Sequence, residues 1–197
     1  YDRSSISDGN GALGFPLFVD WCIENKVNIV SSSLDWSCDK PEEQAALQKL
    51  YDAGIIFLNC AGNSGIERDF DRGVHASNID KGVITVSGLF LSVGSTKYKW
   101  AGYNYGEVVD VVALGSGVPF KSYFDPKDSD YERLCEKYGR KYLWSSWSGT
   151  SAATPLVAAM FAVMMSANGL INSKNAMELI EKCSSPFVYK DRTYNQL

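Results

Sequence analysis

The feature of this sequence that most constrains its fold is a run of ten apolar residues, Leu156–Met165, which follows the small and polar segment Gly149–Pro155. A continuous run of this length predicts a buried helix, and Asn168-Gly169 is typical of a helix end. Ser151 is therefore expected at or just before the helix N-terminus. Unpaired backbone N–H groups and the positive end of the helix dipole would stabilise a negative charge there.

Two interpretations of Ser151 remain open at this point. A Ser or Thr in front of a helix is most often a cap, which is a structural role. The alternative is a nucleophilic serine, which the surrounding residues favour. Gly149 permits a sharp turn in the backbone, and Pro155 is expected in the first helical turn, where it costs no intrahelical hydrogen bond.

A second motif lies earlier in the chain, where Phe57–Gly65 reads Phe-Leu-Asn-Cys-Ala-Gly-Asn-Ser-Gly. It resembles the strand of the subtilisin-like serine proteases, the subtilases, that ends in Ala-Gly-Asn-x-Gly. The segment Gly149–Pro155 resembles the Gly-Thr-Ser-x-Ala-x-Pro serine signature of the same family. The resemblance implies that Ser151 is the nucleophile and that Asn63 supplies the side-chain half of the oxyanion hole. Without it, Asn63 would be interpreted as a turn residue.

Helices and strands alternate in the predicted secondary structure. One helix is expected at Pro16–Lys26, with Leu17, Phe18, Trp21 and Cys22 on its apolar face, and another at Pro41–Asp52. The predicted strands are Val27–Ser32, Ile55–Cys60, Val83–Ser87 and Val108–Ala113. This order favours a mainly parallel sheet flanked by helices, and the resemblance implies a three-layer α/β fold of the subtilisin type.

The ends of two predicted strands carry the expected substrate-binding residues, because ligands of parallel sheets bind at the carboxyl edge. The resemblance implies that two tripeptides, Ser33-Leu34-Asp35 and Asn59-Cys60-Ala61, line the pocket for the substrate side chain that precedes the cleaved bond. Asp35 and Trp36 stand where the family usually has glycines, and Leu114 stands where it has proline. The Asp35 carboxylate would favour basic substrate side chains, or it points to solvent; both alternatives stay open.

Residues 118–147 are longer and more charged than the corresponding segment of the resembled family. We expect a surface insertion here, with a short helix at Asp130–Tyr138, and a loop without function is its simplest interpretation. The 197 residues as a whole are expected to form one partial subtilisin-like peptidase domain.

A general base for Ser151 is missing from the recognisable motifs. Subtilases place Asp and His before the oxyanion Asn in the chain. The single histidine, His75, follows Asn63 and lacks the family's His-Gly-Thr context, so we do not expect it to be catalytic. The chain is therefore expected to be the C-terminal portion of a catalytic domain, with the remaining N-terminal part of that domain as a partner. The function would be that of a serine endopeptidase, or alternatively that of an inactive binding scaffold.

Composition excludes several other classes of function. The net charge of −4, without a basic cluster, gives no sign of nucleic-acid binding, and Leu156–Met165 is too short to span a membrane. The five cysteines lack CxxC spacing, and Cys22 and Cys60 are expected to be core thiols. No cofactor and no metal site is predicted. The expected partner is a peptide or protein substrate. The compartment stays open, with an extracellular location favoured by the resemblance alone.

Overall fold

The computed structural model describes residues 11–34, 40–68, 82–91, 98–100 and 102–197. The helices within them are α1 (Gly11–Glu24), α2 (Pro41–Asp52), α3 (Tyr131–Tyr138), α4 (Thr150–Ala167) and α5 (Ala176–Cys183). The strands are β1 (Ile29–Ser32), β2 (Ile56–Cys60), β3 (Val83–Leu91), β4 (Tyr98–Trp100), β5 (Val111–Leu114), β6 (Val118–Tyr123), β7 (Tyr142–Trp147), β8 (Ser185–Tyr189) and β9 (Arg192–Gln196).

Most of the described strands form one sheet in the order β1-β2-β3-β5-β9-β8, and β4 pairs with β3. The pairings from β1 through β9 along this order are parallel, whereas β4 and β8 pair antiparallel with their neighbours. The predicted parallel sheet is therefore confirmed. The parallel strands end at one edge, which places the residues that follow β1 and β2 close together.

Helices cover both faces of this sheet. On one face, side chains of α1 and α2 form a core with strand residues such as Val30 and Phe57. On the other face, α4 and α5 pack on the intervening residues Ile56 and Leu58. Successive residues of a strand point to opposite faces, so a strand between two helical layers is apolar at every position. The predicted three-layer α/β architecture is confirmed.

The structure corrects the prediction for α1. The helix begins at Gly11, five residues before Pro16, so that Pro16 lies inside it. The buried face consists of Phe15, Val19 and Cys22, whereas Leu17 and Trp21, which the prediction placed on the apolar face, are about half exposed. The prediction started the helical register at the proline and therefore missed Phe15. For α2, the predicted bounds and the buried residues Ala46, Leu47 and Leu50 are confirmed.

The bounds of all four predicted strands also shift, and β1 and β2 begin two residues and one residue later than predicted. β5 begins at Val111 and not at Val108, because Val109 N–H donates to Gly106 O within a turn and Asp110 Oδ2 accepts from Thr85 N–H at 2.7 Å. The side chain of Asp110 thus takes a backbone donor of β3 before the ladder begins. β3 continues to Leu91 and is longer than predicted, because its last residues pair with β4.

Residues 118–147 form more than a charged surface insertion. β6 and β7 make a separate antiparallel ladder, Val118 opposite Trp147 through Tyr123 opposite Tyr142, and α3 confirms the predicted short helix between them. The prediction missed both strands because their side chains are not buried in either strand, so the alternation that marks a half-buried strand is absent. β8, β9 and α5 were not predicted either.

Candidate active site

Gly149 sets the geometry at the start of α4. Its φ of 126° and ψ of 164° lie in a region that only glycine adopts readily. Gly149 N–H donates to Gly115 O at 2.7 Å, and the carbonyl of Gly149 accepts the first helical hydrogen bond, from Ala152 N–H. α4 therefore starts at Thr150, and Ser151 is its second residue, as the sequence predicted. Ser151 is partly exposed, between buried neighbours.

Pro155 is the sixth residue of α4, and not in the first turn as predicted. Proline lacks an N–H, so the carbonyl four residues earlier, which is that of Ser151, has no helical donor. The hydroxyl of Ser33 replaces that donor, with Ser33 Oγ donating to Ser151 O at 2.9 Å. The end of β1 is thereby tied to the backbone of Ser151.

The side chain of Asn63 lies against the same turn. Thr150 N–H donates to Asn63 Oδ1 at 2.9 Å, and the Thr150 hydroxyl contacts the same oxygen at 3.1 Å. A backbone N–H can only donate, so the atom that faces it must be the amide oxygen, and the orientation of the amide is fixed. Asn63 Nδ2 consequently points away from Thr150, and it makes no hydrogen bond within the described part of the chain.

Asn63 Nδ2 and Ser151 N lie near one point in front of the helix. A Cβ placed on Gly149 would lie 3.4 Å from Asn63 Oδ1, 3.6 Å from Asn63 Nδ2 and 3.7 Å from Ser151 N. Ser151 N–H, like Asn63 Nδ2, has no acceptor among the described residues. Convergent N–H groups at a helix N-terminus are suited to a negatively charged oxygen, which the helix dipole also stabilises.

The predicted substrate-binding residues fall into two groups. Ser33 is half-buried and Leu34 is exposed, and both follow β1 at the edge where Ser151 lies. Asn59, Cys60 and Ala61 are buried. Cys60 Sγ lies 3.8 Å from Leu34 O, which brings the two segments together. Asn59 Nδ2 donates to Cys60 O, and its Oδ1 is buried without a partner.

Asp35 and His75 lie outside the described residues. Trp36 and Cys38 also lie outside the described residues. Within the described residues, no three His, Cys, Asp or Glu side chains cluster as a metal site would require.

Sequence reasoning missed the role of Thr150. This buried side chain donates to Asn63 Oδ1 and accepts from Gly62 N–H at 3.1 Å, so it joins the helix to the segment after β2. Thr150 belongs to the motif Gly149–Pro155, in which a catalytic role is predicted for Ser151 alone. A threonine that is flanked by a glycine and the candidate nucleophile was the available signal, because its hydroxyl can both donate and accept.

α4 is longer than its apolar run. Its 18 residues have the length and composition of a helix that could cross a membrane, a test that core helices pass as well. One side of it packs on the sheet through Ala153, Val157 and Phe161. The opposite side is open, with Val163 69% exposed. The prediction of a buried helix is therefore correct for one side of α4 only. Cys22 and Cys60 are buried thiols, as predicted, and burial raises the pKa of Cys22.

Comparisons with known proteins agree on one family. The model of the subtilase family matches residues 10–193. A minor extracellular protease, Epr, of Bacillus subtilis is 26% identical over 74% of this chain and 19% of its own length. A thermostable alkaline protease of Halalkalibacterium halodurans is 28% identical over 81% of this chain and 37% of its own length. An intracellular serine protease of Paenibacillus polymyxa is 29% identical over 73% of this chain and 38% of its own length.

Solved structures resemble the fold. A cold-adapted subtilisin-like serine proteinase superposes with a TM-score of 0.67 at 23% identity, covering 96% of this chain and 62% of that one. The maturation protease PagA gives a TM-score of 0.63 at 17% identity. The chain spans less than two fifths of the length of the relatives named above. One of these relatives is named extracellular and another intracellular, so their names indicate no single compartment.

Proposed function

The chain belongs to the subtilase family, and we propose that it is part of a serine endopeptidase that cleaves peptide bonds through Ser151. The observation that carries the proposal is the position of the Asn63 side chain, which is fixed by Thr150 next to the backbone of Ser151. In the proposed reaction, Ser151 Oγ attacks the peptide carbonyl. Asn63 Nδ2 and Ser151 N–H donate to the oxygen that becomes negatively charged.

The proposed mechanism needs a base that takes the proton of Ser151 Oγ, since a serine hydroxyl is a weak nucleophile without one. We propose that the base and the residue that orients it come from outside these 197 residues, because the single histidine, His75, is not in the family's motif. The proposed substrate is a peptide or protein. Ser33 and Leu34 would line the pocket for the substrate side chain that precedes the cleaved bond.

Labelling with a fluorophosphonate tests the proposal, because the probe reacts with an activated serine. The protein for this test is the longest natural chain that contains the sequence. We expect rapid labelling that Ser151→Ala abolishes and that Asn63→Ala slows about 100- to 1000-fold. Ser148→Ala is the matched control, since the hydroxyl of this exposed serine bonds, among the described residues, only Gly117 N–H and Ser116 Oγ.

Absence of labelling in the unaltered protein would contradict the proposal. Labelling that survives Ser151→Ala would show that another serine reacts. Tight binding of peptides without cleavage or labelling would support the alternative, a subtilase fold that serves as a binding scaffold.

A further inference from the structure

The segment that carries Asn63 is neither helix nor strand. It leaves β2 at Ala61 and runs to Ile66, and Gly62 and Gly65 within it have φ values of 97° and 66°. Backbone hydrogen bonds hold its two ends, from Ala61 N–H to Val86 O at 2.9 Å and from Tyr105 N–H to Ile66 O at 3.1 Å, and the residues between them form no strand ladder. Thr150 holds it on the side of α4, and a second residue, Asn104, holds it on the side of the turn before β5.

The side chain of Asn104 binds three backbone groups of this segment. Its Nδ2 donates to Ala61 O at 2.8 Å, and its Oδ1 accepts from Ser64 N–H at 3.0 Å and from Ile66 N–H at 3.2 Å. These groups lie on both sides of Asn63 in the chain. A single amide therefore brackets the residue and fixes the path of the backbone through it.

The backbone of Asn104 adds a fourth contact, because Asn104 N–H donates to Gly62 O at 3.0 Å. Asn104 is itself fixed from the sheet, where Ser87 Oγ donates to Asn104 O at 2.7 Å. Asn104 is completely buried. A buried amide with its donors and acceptors paired in this way is rigid, since loss of any contact would leave a buried polar group unpaired.

Only an amide of this length meets these demands. A carboxylate would keep the acceptor for Ser64 and Ile66 but would place an oxygen against Ala61 O. The Asn104 amide lies so close to the backbone of Gly62 that a Cβ on Gly62 would lie 2.5 Å from Asn104 Nδ2. Position 62 therefore requires glycine for two reasons, the proximity of this amide and the positive φ.

We infer that Asn104 is a positioning residue, which holds the Ala61–Ile66 segment so that Asn63 Nδ2 faces the reacting oxygen. The inference rests on the proposed protease function for its effect on catalysis. Asn104 touches no substrate in this scheme. Its removal would let Asn63 move, and a displacement of about 1 Å in a catalytic group can cost 100-fold in rate.

A double-mutant cycle on the longest natural chain tests the inference. Asn104→Ala is expected to lower kcat about 10- to 100-fold with little change in KM, because the lost contact acts mainly in the transition state. In an Asn63→Ala background the same substitution should lower kcat less than about threefold, since the group that it positions is gone. Equal losses in both backgrounds would overturn the inference.

Two further variants separate positioning from stability. Asn104→Asp conserves size and is expected to behave as Asn104→Ala does; unchanged kcat in a folded Asn104→Asp protein would overturn the inference. Asn175→Ala is the matched control. Asn175 also binds two backbone groups, Asn172 N–H at 2.9 Å and Leu170 O at 3.0 Å, but it lies beyond the other end of α4. Asn175→Ala should leave kcat unchanged.

A readout without catalysis keeps the inference testable if the proposed protease function fails. Amide exchange at Ser64 and Ile66, and the NMR signals of the Asn63 side-chain amide, report the segment directly. In Asn104→Ala, faster exchange at these two amides and averaged Asn63 signals are expected, with exchange in β2 unchanged. Unchanged exchange and an ordered Asn63 amide would overturn the inference whatever the activity. Loss of labelling in every variant, together with the expected exchange, would contradict only the protease function.

Discussion

The first two turns of α4 and the β6–β7 hairpin are neighbours in the chain, yet they are held in opposite ways. Thr150, Ala153 and Val157 are completely buried, and the hydrogen bonds around them reach Ser33 and Asn63. The strands of the hairpin contain no buried residue. Their aromatic side chains contact one another locally, as Tyr123 and Tyr142 do with ring centroids 5.6 Å apart.

The comparison indicates where the stabilising contacts of this region are. Lys121 lies over the ring of Tyr142 at 4.7 Å, and exposed contacts of this kind contribute about 0.5–1 kcal/mol each. An isolated two-stranded hairpin is marginally stable in water. The helix that begins at the turn with Ser151 instead packs on the sheet through buried residues. Substitutions should therefore affect the helix strongly and the hairpin weakly, even for the same residue type.

The largest difference is expected between two phenylalanines. Phe161 of α4 is 0% exposed and Phe120 of β6 is 40% exposed. Phe161→Ala leaves a cavity against the sheet and should lower the free energy of unfolding by about 3–5 kcal/mol. Phe120→Ala should lower it by less than about 1 kcal/mol, because a half-exposed ring loses little burial. Urea denaturation measures both, and similar losses would contradict the comparison.

Thr150→Val should have the next largest effect. Valine keeps the shape of the buried side chain but removes the acceptor of Gly62 N–H and one donor to Asn63. We expect a loss of about 1–3 kcal/mol, because a buried donor is left unpaired. Ser122→Ala in the exposed β6 strand is the control and should change the unfolding midpoint little. A neutral Thr150→Val would show that water replaces the hydroxyl.

Ser33→Ala should lower the free energy of unfolding by about 1 kcal/mol, since it removes the donor to Ser151 O. The loss should become smaller in a Pro155→Ala background. Alanine at position 155 restores a backbone N–H that can bond the same carbonyl. A double-mutant cycle by chemical denaturation measures this coupling, and strictly additive effects would contradict the proposed compensation.

The smallest effect is expected in the exposed linker of the hairpin, where Arg133 Nη2 binds Asp130 Oδ2 at 2.8 Å. This hydrogen bond lowers the pKa of Asp130, and the same pairing raises the pKa of Arg133. A carboxyl whose pKa is lowered by folding stabilises the fold at pH values above its ordinary pKa. This stabilisation is lost as the pH falls through the lowered pKa. Both side chains are exposed, so Arg133→Gln should leave the unfolding midpoint and its pH profile within experimental error.

Periodicity and motifs predicted the parts of the fold in which local sequence and tertiary environment agree. The apolar residues that mark α2, β2 and the start of α4 in the sequence are also residues that the fold buries. The turn and helix-forming residues around Ser151 can be recognised in the sequence. β8 and β9 were not predicted because their turn, Lys190-Asp191, contains neither glycine nor asparagine, although its φ values are 48° and 62°. The usual signal of a two-residue hairpin turn was missing there.

The candidate site was predictable only as far as motifs name residues. Ser151 and Asn63 stand in recognisable patterns, so their proximity could be expected. Asn104 binds backbone groups of another segment, and the sequence does not indicate which backbone N–H or carbonyl groups lie near a side chain. The link between Ser33 and Pro155 is of the same kind, because it depends on a missing donor that only the helix register reveals.

The hydrogen bond from Ser33 to Ser151 O joins residues 118 positions apart, and the bond from Thr150 to Asn63 spans 87. Contacts of such sequence separation form only after long loops have closed, which is slow. We therefore expect the turn that carries Ser151 to be completed late on the folding pathway. Thr150→Val should accordingly accelerate unfolding and leave the refolding rate unchanged, a φ-value near zero in stopped-flow measurements.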